Sequence, residues 1–323
     1  MENILEIKDL GIRFKTDDGI VNAVNGVTLE LKKGEVLGLV GETGAGKTTT
    51  ALAIMRLIQI PPGEICQGSI LFEGREILDM SDKEMQQIRG DKISMIFQDP
   101  MTSLNPVRTV GEQITEVIRL HQKVSAADAM RKACEMLEMV GIPAERSGEY
   151  PHQFSGGMKQ RVIIAIALAC RPDLLIADEP TTALDVTIQA QVMDLMENLK
   201  KEFGTSMILI THDLGVVAEI CDKVAIIYAG EILEYGTLDE IYNHTAHPYT
   251  QGLFDSVPDL DKDVRRLKPI DGLMPDPTDL PAGCKFAPRC ARCTERCQTM
   301  HPDMTVLNEN HGVRCFAALS REG

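Results

Sequence analysis

A chain of 323 residues has room for roughly two domains and a large core. Its 48 acidic against 33 basic residues give a net charge of −15, which argues against nucleic acid as the main partner. No run approaches the ~20 apolar residues of a spanning helix, and residues 1–6 form no export signal, so the chain is expected to be cytosolic unless a partner holds it at a membrane.

Aromatic residues make up only 4% with no Trp, so an aliphatic core is expected. Residues 4–10 and 20–31 alternate apolar and polar, with Val21, Ala23, Val27, Leu29 and Leu31 on one face, the period of half-exposed strands in an antiparallel sheet. The loop between them holds Phe14, which reads either as a core residue or as an aromatic placed to stack on an adenine. The apolar run 36–40 predicts a buried strand and residues 49–58 a helix. Between them Gly41-Glu42-Thr43-Gly44-Ala45-Gly46-Lys47-Thr48 fits G-x-x-x-x-G-K-[ST]. Glycines let N–H groups turn onto a polyphosphate and the helix start favours negative charge. Lys47 reaches the outer phosphates, and the Thr48 hydroxyl can ligate Mg²⁺. Thr49 continues the cradle. A glycine turn with a solvated lysine is the bland reading, and the flanking strand and helix weigh against it.

Residues 68–77 read as an edge strand pair, and 93–97 as a buried strand delivering Gln98 where open α/β sheets bind ligands. Helical spacing over 110–140, punctuated by Pro106, Gly141, Pro143 and Pro151, predicts a separate helical lobe. Ser155, Gly156 and Gly157 then open a helix, either as a second anion site or as a simple N-cap. The strand 174–178 ends in Asp178 and Glu179, suited to holding Mg²⁺ and to activating water; a solvated acidic turn is the alternative. A last core strand, 206–210, delivers His212.

Four of nine cysteines (Cys66, Cys134, Cys170, Cys221) are scattered singly, as reduced thiols are, and five crowd into 284–315. Residues 281–315 hold few aliphatic side chains, so this stretch is expected to need a covalent or metal staple. Cys290 and Cys293 form a C-x-x-C pair, which fits zinc.

These motifs, in this order over residues 1–240, resemble the nucleotide-binding subunit of an ABC transporter. The resemblance makes residues 41–48 the Walker A loop, Gln98 the Q-loop glutamine, Ser155-Gly156-Gly157 the signature, Asp178 and Glu179 the Walker B pair, Ala183-Leu184-Asp185 the D-loop and His212 the switch histidine. The signature reads FSGGM where the family commonly has LSGGQ. Residues 237–323 and 99–106 resemble the ATPase subunits of dipeptide, oligopeptide and nickel permeases, and Cys284, Cys290, Cys297 and Cys315 resemble that subfamily's [4Fe-4S] ligands, with Zn²⁺ the alternative.

The implied fold is α/β, a P-loop NTPase core of ABC type with an antiparallel β layer, an inserted α-helical lobe at about 99–160 and a small cysteine-rich C-terminal extension. Residues 1–240 would form the nucleotide-binding domain and 241–323 the extension. The implied activity is ATP hydrolysis with Mg²⁺, powering import of peptides, with nickel as the alternative cargo. Lys47, Gln98, Glu179 and His212 would be catalytic. Implied partners are two transmembrane permease subunits, a second ATPase subunit whose signature closes on this Walker A loop, and indirectly an extracytoplasmic peptide-binding protein; the chain would sit at the cytoplasmic face of the membrane. Segment 99–106 would dock the membrane partner, with Leu104 a contact. Two rivals are an ABC-type ATPase of DNA maintenance, disfavoured by the charge and by only 56 residues between Gln98 and the signature, and a metal- or redox-regulated binding module.

Overall fold

The computed structural model describes residues 2–98, 103–182, 184–256 and 269–318. The chain forms two compact units. One comprises residues 1–4, 32–35 and 79–210, the other 5–31, 36–78 and 211–323.

In the first unit, parallel strands Ile93–Ile96 and Leu174–Asp178 pair with Ile96 opposite Ala177, and Leu174–Asp178 pairs with Ser206–Thr211 with Asp178 opposite Ile210. Every residue of these three strands is buried, as their unbroken apolar runs require of a parallel sheet. The helical lobe holds Val110–His121 and Ala126–Met139. Their apolar positions fall on one face, burying Val110, Ile114 and Ile118 on the first helix and Ala129, Ala133 and Leu137 on the second. Each begins at a hydroxyl cap, Thr109 accepting from the Glu112 amide and Ser125 from that of Asp128. Helix Gly156–Leu168 is apolar nearly all round and correspondingly buried.

The second unit contains an antiparallel sheet ordered Gly19–Lys32, Asn3–Thr16, Gly63–Phe72, Arg75–Glu76. It also contains the strand that feeds the phosphate loop, Val36–Val40, buried throughout and parallel to Lys223–Tyr228. From there antiparallel pairing runs through Glu231–Thr237 and His311–Val313 to Thr305–Asn308. The tail thus contributes strands of its own. That departs from the expectation that only a covalent or metal staple could order residues 281–315. Phe286, Ala287 and Val313 are buried, and His311, 2% exposed, reaches Glu234 (0% exposed) at 2.8 Å and Glu240 at 3.2 Å. Among the described residues no helix is long and apolar enough to cross a membrane.

Candidate functional site

The phosphate loop is shaped by close backbone approaches that only glycine allows. Gly46 precedes helix Lys47–Ile54 in a left-handed conformation (φ 101°), with no side chain capping the helix start. A Cβ there would lie 2.5 Å from the Ala23 carbonyl oxygen. Gly41 is pressed against the Ile227 carbonyl oxygen, leaving no room for a side chain. The Lys47 side chain folds into the loop, its Nζ donating to the carbonyls of Gly41 (2.6 Å) and Glu42 (2.9 Å). Thr43, Gly44 and Thr48 are exposed, while Ala45 is buried and Thr49 half-buried. A curled loop with a cation inside it and a helix start beyond it has the donors that an anion-binding loop needs. The helix begins two residues earlier than expected and ends at Ile54, because Gly46 supplies the turn and Arg56 adopts a positive φ of 47°.

In the first unit, Asp178 ends its strand 1% exposed. Glu179, one step on, has φ 47°, a conformation that costs a non-glycine residue about 1–3 kcal/mol. Its amide donates to the Ile210 carbonyl (2.8 Å), which helps hold that turn. The carboxylate accepts from Gln98 Nε2 (3.1 Å) and Thr182 Oγ1 (2.8 Å). Gln98 and Glu179, 81 positions apart, are therefore brought together, and Thr182 is a partner that the sequence did not single out. Two neutral donors thus hold the carboxylate in one orientation.

Ser155 caps Gly156–Leu168, its Oγ accepting from the Met158 amide at 3.4 Å. Gly157 is required, since a Cβ would come within 2.6 Å of Ile188. Phe154 is 5% exposed, with the Arg146 guanidinium 4.4 Å from its ring centre. Asp185 caps Val186–Phe203 by accepting from the Ile188 amide (3.0 Å); Ala183 lies outside the described residues. In the second unit His212 is exposed, just before Asp213, which caps Leu214–Ile220. Phe14 corrects an expectation. It stands not in a loop but inside Asn3–Thr16, paired with Gly63 and half-buried, because the ladder continues to the turn at 17–18. The absent side chain at Gly63 makes room for its ring, which lies 3.0 Å from where a Cβ would be.

A family model described as ABC transporter matches residues 24–182, and one described as oligopeptide/dipeptide transporter, C-terminal region, matches residues 233–297. The chain is 50% identical to the oligopeptide transport ATP-binding protein OppD of Haemophilus influenzae over 99% of each chain. It is 49% identical to the dipeptide transport ATP-binding protein DppD of Bacillus subtilis, over 98% of this chain and 95% of that one. The chain belongs to the ABC transporter family. Among solved ABC cassettes, a dimer in a post-hydrolysis state bound to ADP and Pi matches with a TM-score of 0.66 and 29% identity, covering 72% of this chain and 98% of its own.

Two further regions of this ABC ATPase bear on the expectations. The segment 99–106 lies partly outside the described residues, and Leu104, expected as a docking contact, is only 4% exposed. It is a packing residue. Buried Gln113 ties the adjoining loop down, its Oε1 accepting from the Asn105 amide (2.9 Å) and its Nε2 donating to the Asn105 and Arg108 carbonyls (3.1 Å each). The exposed apolar side chain there is Val107, at 79%.

In the tail, Cys284, Cys290, Cys297 and Cys315 line one cavity walled by His247, Phe286 and Phe316, and Cys293 is not among its lining residues. Burial pushes the Cys284 thiol up to about 11, with the Cys297, Cys315 and Cys290 thiols adding to the rise. Burial also raises the Cys290 and Cys315 thiols. Among the described residues no group of three or more His, Cys, Asp or Glu side chains is arranged to hold a metal ion.

Proposed function

We propose that this ABC ATPase hydrolyses ATP to power import of di- and oligopeptides through partner permease subunits at the cytoplasmic face of a membrane. The observation that supports the reading is the presence, in one chain, of a glycine-shaped loop curled round Lys47 and a match to the C-terminal region of oligopeptide/dipeptide transporters. In this reading Lys47 and the loop amides bind the polyphosphate. By the resemblance, Thr48, Gln98 and Asp178 would hold Mg²⁺, which would supply charge neutralisation when bound. Glu179, oriented by Gln98 and Thr182, takes the proton of the attacking water, and Gln98 and His212 respond to the γ-phosphate. Phe14 borders the adenine. Ser155, Gly156 and Gly157, with Asp185 beside them, act on a nucleotide held by a second ATPase subunit. Residues 1–240 serve as the nucleotide-binding domain and 241–323 as an extension.

The helical lobe offers the surface for a permease subunit. An open groove there is lined by Leu120 and Met130 and by the ion-paired Arg108 and Glu116, and Leu120 is 73% exposed. By the resemblance of the tail, Cys284, Cys290, Cys297 and Cys315 would be the ligands of a [4Fe-4S] cluster, although among the described residues they are not drawn together into a metal-holding group without it. Four thiols surround one apolar-walled cavity, and Arg292 among its lining residues offsets thiolate charge. Such a cluster would act as a staple rather than in hydrolysis. The test is uptake of labelled peptide into proteoliposomes holding this chain, its second ATPase and the permease subunits. MgATP-driven peptide uptake is the expected result. Uptake of nickel but not of peptide would overturn the cargo assignment.

A further inference from the structure

One side chain of the cysteine-rich tail is built into the phosphate loop. Arg289 ends the short turn Ala287–Arg289, immediately before Cys290, and its side chain is 5% exposed. Its Nη1 donates to both carboxylate oxygens of Glu42, each at 3.0 Å, and stands 3.4 Å from the Tyr228 hydroxyl. Nε donates to the Asp271 carbonyl (2.9 Å) and Nη2 to that of Ile270 (3.2 Å). Burial opposes the charge on this guanidinium, but its hydrogen bonds to Tyr228 and Glu42 outweigh it and raise the pKa. The fork thus grips two things at once: the second residue of the phosphate loop and the backbone at 270–271.

Both grips bear on the loop. Glu42 is fixed at its carboxylate by Arg289, at its amide by the hydroxyl of fully buried Tyr249 (3.1 Å), and at its carbonyl by Lys47 Nζ (2.9 Å). Tyr249 and Tyr228 pack with Phe286, two residues from Cys284, at ring distances of 5.3 and 5.4 Å. The backbone held at 270–271 continues as a strap. Met274 Cε lies 3.8 Å from where a Cβ of exposed Gly44 would stand, and the Pro277 carbonyl accepts from the Asn22 amide at 2.9 Å. The strap therefore runs beside the exposed face of the loop and is anchored at both ends.

We propose that Arg289 is a positioning residue for nucleotide binding. It makes the affinity of the phosphate loop for ATP depend on whether the cysteine module is intact. The inference rests on the ATP-binding reading above. A collapsed module would release Arg289, and Glu42 and the strap would lose their common anchor. A charge-assisted contact from one guanidinium nitrogen to both carboxylate oxygens is worth enough to shift affinity about tenfold when lost.

The test is calorimetric binding of a non-hydrolysable ATP analogue with Mg²⁺ to the full chain, together with KM and kcat for ATP. Arg289→Gln should raise Kd and KM about tenfold and change kcat less than about twofold, Glu42→Gln should raise Kd in the same direction, and the double variant should be no worse than the more severe single one. Arg289→Lys, which keeps the charge but not the fork, should fall between. The pair Cys284→Ser, Cys297→Ser should raise Kd in the wild-type background and add nothing in Arg289→Gln. Circular dichroism melting identifies variants that fail to fold, and for any of these Arg289→Lys decides. Wild-type Kd in a folded Arg289 variant, or additive effects of Arg289→Gln and Glu42→Gln, would overturn the proposal. Failure of the wild-type chain itself to bind the analogue would instead overturn the ATP-binding reading.

Discussion

The phosphate loop and the cysteine-rich tail lie in the same unit and are specified in opposite ways. The loop is set by backbone. Glycines at 41, 44 and 46 stand where a side chain would clash or where φ is positive, and one lysine closes the curl. The tail is set by side chains that meet partners far away in the sequence. His311 lies 77 positions from Glu234, and Arg289 lies 247 from Glu42. A site made of local backbone can be read from a short motif, whereas one made of buried polar pairs cannot.

The largest expected effect comes from breaking the backbone side of this contrast. Gly46→Ala forces a left-handed conformation on alanine and sets its Cβ against the Ala23 carbonyl, so ATP binding should fall at least a hundredfold, roughly 3 kcal/mol. Near-normal affinity by calorimetry would mean that the loop is not the cradle.

On the tail side, protein purified without oxygen should carry about four irons and four sulfides per chain with a visible band bleached by dithionite. Cys297→Ser should lose that colour and Cys293→Ser keep it, since Cys293 is absent from the cavity wall. Stoichiometric zinc without sulfide would replace the cluster assignment.

Glu234→Gln acts on the stability of the tail and not on nucleotide affinity. The Glu234 carboxylate accepts from the Ala246 and His247 amides at 2.7 and 3.0 Å as well as facing His311, and breaking such a buried pair costs about 3–5 kcal/mol. Limited proteolysis should then cut the tail first, with residues 5–40 protected; simultaneous loss of both would erase the distinction drawn between them.

The smallest effect is pH dependence. Burial lowers the pKa of His311, but Glu234 and Glu240 together outweigh it, so its folded value lies above the ordinary one. The stabilisation is therefore full below about 6.5 and fades as pH rises through the raised folded value. Melting temperature should drop by a few degrees, about 2–4 °C per kcal/mol, on going from pH 6 to pH 9, and His311→Gln should flatten that slope. An unchanged slope would show that His311 is not protonated in the fold.

What could be read in advance follows the same division. Strand Val36–Val40 is legible to the residue because an apolar run, interrupted only by Gly38, ends at the Gly41 that opens the motif. Strand Ile93–Ile96 was one residue shorter than expected, since Phe97 is 44% exposed and leaves the ladder. Phe14 was misplaced because a two-residue turn lets its strand run longer than alternation alone suggested. Leu104 was misassigned because nothing local distinguishes a leucine that faces a core from one that faces a partner. Neither the Gln98 and Glu179 contact nor the grip of Arg289 has a local signal, although a charged residue beside a cysteine in a short turn marks Arg289 as a place to look.

The role of Glu179 as the base of ATP hydrolysis is tested most directly by phosphate release from Glu179→Gln beside binding of the non-hydrolysable analogue. The exchange keeps the side chain's shape and removes only its capacity to take a proton, so binding should stay within about threefold of wild type while turnover falls below about a tenth. Turnover above a tenth of wild type, with binding intact, would contradict the account.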